Sequence, residues 1–221
     1  MADRVAIWRE ALQDRQHPRH RLAWVLFPKT MPVSAAARRL EAHKDEVIGY
    51  LLEVLETPAL FGRDALGEGH APGHAMALLG YWRVTAAVPR LLQILDEQPW
   101  SSPLHDQALK ALEVMGPSII DEVLAFAETA RLTTHGSIAS VLVSVGQGDA
   151  RAFNWVKDSL LRQKSELDFA YTARLLLDMN PGAAIPFLEK RLRDRRYSAK
   201  VRRAVEAAIA RARRPPGSAP A

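Results

Sequence analysis

The sequence predicts an all-α protein built from repeated helical hairpins. Apolar residues recur with the three- and four-residue spacing that gives a helix one apolar face, as at Ile48, Leu51, Leu52 and Leu55. This pattern returns at intervals of about 32 residues, which is typical of a repeat protein. Short segments containing Gly, Pro, Asn or Asp separate the apolar stretches, and these residues are preferred at helix ends.

The repeat is clearest in two segments that lie 97 residues apart. Residues 87–95 read AVPRLLQIL and residues 184–192 read AIPFLEKRL, so both fit the pattern A-[V/I]-P-x-L-x-x-x-L. Helices with the same apolar spacing are predicted at 48–55, 120–127 and 153–160. The sequence therefore predicts about five related helices, each the second helix of a hairpin.

A first helix is predicted before each of the last four of these segments. These first helices centre on Leu79, Leu112, Leu142 and Leu176. Most of the connections that follow supply Gly or Asn after one helix and Pro, Ser or Asp at the start of the next. The connections lie at 83–85, 116–118, 146–149 and 180–182.

Residues 79–91, LGYWRVTAAVPRL, resemble the HEAT-like repeat, in the version named after phycobilisome lyases and common in bacterial proteins. Residues 148–152, GDARA, resemble the turn of that version. The resemblance covers roughly 34–193 and implies a right-handed α-α superhelix, an α-solenoid of about five hairpins. The segment at 83–85 lacks the usual Gly-Asp, and 61–69 is an irregular insertion.

The segments outside the repeats are expected to cover the two ends of a single domain that spans 1–214. Residues 1–33 form the N-terminal cap, 34–193 the repeats and 197–213 a C-terminal cap helix whose apolar stripe includes Val201, Val205 and Ile209. The last residues, 215–221, are rich in Pro, Gly, Ser and Ala and are predicted to be a flexible tail.

Composition excludes several classes of function. The chain has no cysteine, which rules out disulfides, thiolate nucleophiles and cysteine-ligated zinc. Its longest apolar run, 22–27, is far shorter than the roughly 20 residues that span a bilayer. We therefore expect no membrane partner and a cytoplasmic location.

Two motifs imitate cofactor sites. Residues 146–151, GQGDAR, resemble a dinucleotide fingerprint, but Asp149 stands where a pyrophosphate would bind, which favours a turn between helices. His70 and His74 have the spacing of helical zinc ligands, but Pro72 and Gly73 between them predict a loop, so the two imidazoles need not share a face. We expect no metal, no cofactor and no catalytic residue, and an enzyme is the less favoured class.

Charge suggests where a partner binds. Net charge is +5 over 1–40, −8 over 41–185 and +8 over 186–221. The second helices, which line the concave face in the family that the sequence resembles, carry −5 in total. An acidic concave face favours a protein or peptide partner of complementary charge. The candidate contacts are five outward-facing carboxylates and one exposed loop aromatic: Glu46, Glu53, Glu56, Glu122, Glu128 and Trp100. Trp82 is predicted to be buried.

The leading hypothesis is a non-enzymatic scaffold, and two alternatives remain open. The first is an enzyme or enzyme subunit that resembles the bilin lyases or alkylpurine DNA glycosylases of this fold. The second is nucleic-acid binding through the basic C-terminal end. The residues of that basic patch are Lys190, Arg191, Arg193, Arg195, Arg196, Lys200, Arg202 and Arg203.

Overall fold

The computed structural model describes residues 3–163, 165–193 and 197–214, and these residues are all-α. They form thirteen α-helices and short 3₁₀ turns, with no strand in the described ranges, so the predicted all-α class is confirmed. The right-handed α-solenoid stays a prediction. None of the described helices is long and apolar enough to cross a membrane. Contacts divide the chain into two compact units, Met1–Gly116 and Pro117–Ala221. The boundary falls within the predicted connection at 116–118, and the single domain predicted over 1–214 stays a prediction.

The first unit contains seven α-helices. The central helix α5 packs against α2, α3, α4 and α7, while α6 packs on α7 and α1 packs on α2. The helices are α1 (Arg4–Gln13), α2 (His20–Leu26), α3 (Val33–Leu40), α4 (Lys44–Leu55), α5 (His70–Tyr81), α6 (Val88–Glu97) and α7 (Pro103–Glu113).

The second unit contains six α-helices. Helix α9 packs against α8, α10 and α11, and α11 packs against α10, α12 and α13. The helices are α8 (Ile120–Ala127), α9 (His135–Val145), α10 (Ala150–Arg162), α11 (Glu166–Met179), α12 (Pro181–Leu192) and α13 (Ala199–Ala212). Together with the first unit, this confirms all nine helices that the repeat pattern predicts.

Side-chain caps explain where several helices begin. The Asp149 carboxylate accepts hydrogen bonds from the backbone N–H groups of Arg151 and Ala152, so the segment that imitates a dinucleotide fingerprint is a capped turn. Asn180 caps α12 in the same way, through the backbone N–H of Ala183. The end of α5 is unusual because Arg83, with φ +54°, takes the left-handed conformation that usually favours glycine.

Both ends of the chain bury aromatic and aliphatic side chains. Trp8 is completely buried and Phe27 nearly so. At the other end, the predicted helix is present as α13 and buries Val201, Val205 and Ile209 against α11 and α12. Tyr197, just before α13, stacks on Phe169 of α11 with ring centroids 4.1 Å apart. The predicted flexible tail, 215–221, lies outside the described residues.

Candidate functional site

An apolar groove lies in the first unit, between helices α3, α5 and α7. Its floor is created by Gly80 of α5, which lies directly against Ala111 of α7. A Cβ atom placed on Gly80 would be 2.7 Å from the Cα atom of Ala111, closer than two carbon atoms can pack. The two helices therefore approach closely at this point, and no side chain fills the space above the contact.

Apolar side chains form the walls of this groove and remain open to solvent. Tyr81 is 50% exposed and Val114 is 52% exposed, and Val33 and Ala77 complete the apolar surface. The groove has a volume of about 450 Å³. Half-exposed large apolar side chains around a concavity are typical of a binding surface. The apolar spacing of the sequence does not predict this groove, although a glycine inside the helical pattern of α5 is a signal of close helix approach.

The rim of the groove carries positive charge. Lys110 lies on one side and donates a hydrogen bond to Asp106 at 2.7 Å. Arg83 lies at the end of α5, is exposed, and holds a backbone conformation that costs a non-glycine residue about 1 kcal/mol. The positive φ of Arg83 belongs to the cap that ends α5, where the backbone N–H of Val84 donates to the carbonyl oxygen of Leu79. Its exposed guanidinium is available to pair with an anionic group at this rim.

Glu53, a predicted partner contact, is instead a structural residue. Its carboxylate accepts two hydrogen bonds from Arg19, at 2.6 and 3.0 Å, and its side chain is only 22% exposed. The prediction that Glu53 points outward is wrong, because α4 buries Val47 and Val54 where the sequence analysis predicts Ile48 and Leu52. The buried face is therefore rotated, and Glu53 lies toward the start of α2.

The other acidic candidates of the first unit are exposed but have basic neighbours. Glu46 accepts a hydrogen bond from the Tyr50 hydroxyl at 2.7 Å and lines a pocket that also contains arginines. A carboxylate oxygen of Glu56 lies 3.9 Å from Nε of Arg90. These neighbours weaken the negative field that an acidic surface would need.

The acidic candidates of the second unit are placed as predicted. Glu122 in the first turn of α8 and Glu128 at its end are both exposed. Their neighbour Asp121 is paired with Arg151, with 2.8 Å between the carboxylate oxygen and the guanidinium nitrogen. Glu122 and Glu128 therefore remain candidate partner contacts.

The two tryptophan predictions have different outcomes. Trp100 is 84% exposed in the connection between α6 and α7, as expected of a contact candidate. Trp82, expected to be buried, is partly exposed. Its indole N–H donates to Glu41 at 3.2 Å, and the Lys44 ammonium lies 5.8 Å from the ring centroid. Polar partners at and just before the start of α4 thus replace the core environment predicted for Trp82.

The basic candidates that the structure describes lie on α12, directly after it, and on α13. Lys190, Arg193, Lys200 and Arg203 are exposed, while Arg191 and Arg202 are half-buried. Arg195 and Arg196 lie outside the described residues.

The histidine pair differs from the prediction. His70 and His74 both belong to α5, and their rings stack with centroids 6.1 Å apart. The expectation of a loop is wrong because Pro72 lies in the first turn of α5, where its missing N–H costs no hydrogen bond. His74 Nδ1 lies 2.8 Å from the Leu26 carbonyl oxygen and donates to it, and burial lowers the pKa of His74. No group of three or more His, Cys, Asp or Glu side chains in the described ranges could hold a metal ion.

Comparison of the chain with protein-family models, with curated proteins and with solved structures found no match. The groove between α5 and α7 and the exposed charged residues are therefore the basis on which a function can be assigned.

Proposed function

We propose that the protein is a non-enzymatic helical-repeat scaffold of the HEAT-like type, with its hairpins stacked as an α-solenoid, and that it binds a protein partner. Within the first unit, the first helices α3, α5 and α7 pack successively against one another. Within the second unit, the first helices α9 and α11 pack against each other, and the C-terminal cap helix α13 packs on α11. Successive packing of equivalent helices supports a stacked-hairpin architecture, and such repeats commonly present extended binding surfaces.

The groove between α5 and α7 is the proposed docking site, and its occupant is an amphipathic peptide segment of the partner. The observation that carries this proposal is the half-exposure of Tyr81 and Val114 around a floor formed by Gly80 and Ala111. Apolar side chains of the peptide would fill the groove, whose volume lies within the roughly 300–1,000 Å³ of ligand pockets. A carboxylate of the peptide would pair with Arg83 at the rim, which sets the charge of the occupant.

Selection from a displayed library of short peptides tests this proposal directly. We expect the selected peptides to share apolar residues flanked by Asp or Glu. Val114→Glu places a charge on the groove wall and is expected to weaken their binding by at least about tenfold. The matched control is Leu167→Glu, because Leu167 is 75% exposed and lies in the second unit. Peptides that bind Val114→Glu as tightly as the unmodified protein would refute the groove as the site.

The charge of the occupant has its own test. Arg83→Gln is expected to weaken the acidic peptides by about fivefold to tenfold and to leave their Asn or Gln counterparts unchanged. Equal weakening of the acidic and neutral peptides would show that Arg83 does not pair with a carboxylate.

Nucleic-acid binding is a second candidate function, favoured by the exposed Lys190, Arg193, Lys200 and Arg203. Binding through these residues would weaken steeply with salt, because each neutralised phosphate releases counterions. Titration of a short oligonucleotide at several salt concentrations distinguishes this function, since peptide binding in an apolar groove has a shallow salt dependence.

A further inference from the structure

A second pocket in the first unit is lined by arginines. It has a volume of about 390 Å³ and lies where the turn between α1 and α2 meets α3 and α4. Arg15 belongs to the turn, Arg21 to α2 and Arg39 to α3, and all three are exposed. None of the three forms an ion pair within the described ranges. Three guanidinium groups without a carboxylate partner create a positive potential at this pocket.

The wall of this arginine pocket is held rigidly. Arg19 joins the start of α2 to α4 through its two hydrogen bonds with Glu53. Its guanidinium also lies 4.3 Å from the ring centroid of Tyr50 and 5.1 Å from that of Trp8. Tyr50 lines the pocket, so these contacts fix part of its wall before any ligand arrives. A preformed wall lowers the entropy cost of binding.

His17 adds a hydrogen-bond donor to the same pocket. Its Nδ1 accepts a hydrogen bond from the backbone N–H of Arg19 at 3.1 Å, so the ring proton lies on Nε2. An Nε2–H donor and three guanidinium groups match the oxygen atoms of a phosphate, which accept several hydrogen bonds at once.

One carboxylate opposes an anion at this site. Glu46 lines the pocket and accepts a hydrogen bond from the Tyr50 hydroxyl at 2.7 Å. Three arginines against one carboxylate nevertheless leave the lining net positive. Removal of the Glu46 charge is therefore expected to strengthen the binding of an anion.

We propose that the arginine pocket binds the phosphate group of a small phosphorylated molecule, with Arg15, Arg21 and Arg39 as its ligands. A compact pocket suits a small ligand, whereas a nucleic-acid strand requires a continuous positive track along its backbone. The proposal is independent of the peptide groove, because the pocket is built from the α1–α2 turn, α2, α3 and α4 rather than from α5 and α7.

Isothermal titration of the full chain with pyrophosphate and with inorganic phosphate tests the proposal. Arg21→Gln and Arg39→Gln are each expected to weaken pyrophosphate binding by about tenfold, because each removes a charge-assisted hydrogen bond. Arg9→Gln is the matched control, since Arg9 is exposed on α1 and outside the pocket, and it is expected to change affinity by less than about twofold. Glu46→Gln is expected to strengthen binding, a change that loss of fold cannot imitate.

Three results would overturn the phosphate proposal. The first is no pyrophosphate binding by the unmodified chain. The second is equal weakening by Arg9→Gln and Arg39→Gln, which would indicate attraction to net charge alone. The third is binding of a short single-stranded oligonucleotide through these arginines without any binding of pyrophosphate, which would indicate a nucleic-acid contact.

Discussion

Arg83 combines a stability cost with a position on the rim of the groove. A side chain in the left-handed conformation crowds its own backbone, so Arg83→Gly is expected to raise the free energy of unfolding by about 0.5–1 kcal/mol. The same change removes the guanidinium and is expected to weaken acidic peptides. Urea unfolding and peptide titration measure the two effects separately.

Arg83→Ala is the matched control for this prediction. It removes the guanidinium but keeps a Cβ atom at positive φ, so binding should weaken without a gain in stability. If Arg83→Gly and Arg83→Ala proved equally stable, the backbone at residue 83 would not be strained.

The predicted acidic contacts differ in how much each contributes to the stability of the fold. Glu53→Lys is expected to lower the free energy of unfolding by about 2–4 kcal/mol, because it leaves the half-buried Arg19 opposite a like charge. Glu122→Lys and Glu128→Lys, at exposed positions of α8, are expected to change it by less than about 0.5 kcal/mol. Chemical denaturation of the three variants checks this order, and a tolerated Glu53→Lys would mean that the Arg19 pair contributes nothing.

At the scale of helices, the contact between α5 and α7 sets the stability of the first unit. Gly80→Ala adds a Cβ atom 2.7 Å from the backbone of Ala111 and is expected to destabilise the fold by about 1–3 kcal/mol. Gly73→Ala, on the same helix, adds a Cβ atom at an ordinary 3.6 Å from Gln107 and is expected to stabilise it by up to about 1 kcal/mol. Thermal unfolding compares the two variants. If Gly80→Ala did not lower the unfolding temperature, α5 and α7 would be able to move apart without cost.

The contact of α5 with the end of α2 predicts a pH dependence. Burial lowers the pKa of His74 below its ordinary value of 6.5, and the neighbouring His70 lowers it further, while the bond to the Leu26 carbonyl oxygen acts in the opposite direction. The unfolded chain therefore binds a proton more readily than the folded chain. The contribution of neutral His74 to the free energy of unfolding is complete above about pH 6.5. It is lost as the pH falls toward the pKa that His74 has in the folded chain.

The midpoint of thermal unfolding, measured between about pH 7.5 and pH 5, checks this prediction. His74→Gln is expected to reduce the loss of stability in acid. It will not abolish the loss, because burial also lowers the pKa of His105. An unchanged acid profile in His74→Gln would contradict this role.

Helix positions were predictable from the sequence, but the faces that the helices bury were only partly so. Helix α4 has apolar residues on much of its circumference, so spacing alone cannot choose between Ile48 and Val47 as the buried residue. The choice depends on how α4 packs against α5 and on the ion pair with Arg19, which lies 34 residues before Glu53, and helical spacing encodes neither contact. The groove was missed for a similar reason, since it depends on Gly80 meeting Ala111 across two helices.

At the scale of the whole molecule, α13 determines how much apolar surface the second unit exposes. Removal of 197–221 takes away Tyr197, Val201, Val205 and Ile209, all buried, and uncovers parts of α11 and α12. It is expected to lower the stability of the second unit by at least about 5 kcal/mol and to expose dye-binding apolar surface. Thermal unfolding and dye fluorescence check this, and removal of 215–221 alone is the control. If both truncations behaved alike, α13 would not cover the unit.

The missing side chain of Gly80 links the shape of the groove to the integrity of the fold. Any larger residue there would fill the floor and also force α5 away from Ala111. Selection for a new partner therefore lowers the stability of the fold whenever it acts on the floor. It can act on the rim, where Tyr81, Arg83 and Val114 are exposed and can change without disturbing the core. Descendants of this chain should diverge at those three positions while they keep glycine at position 80.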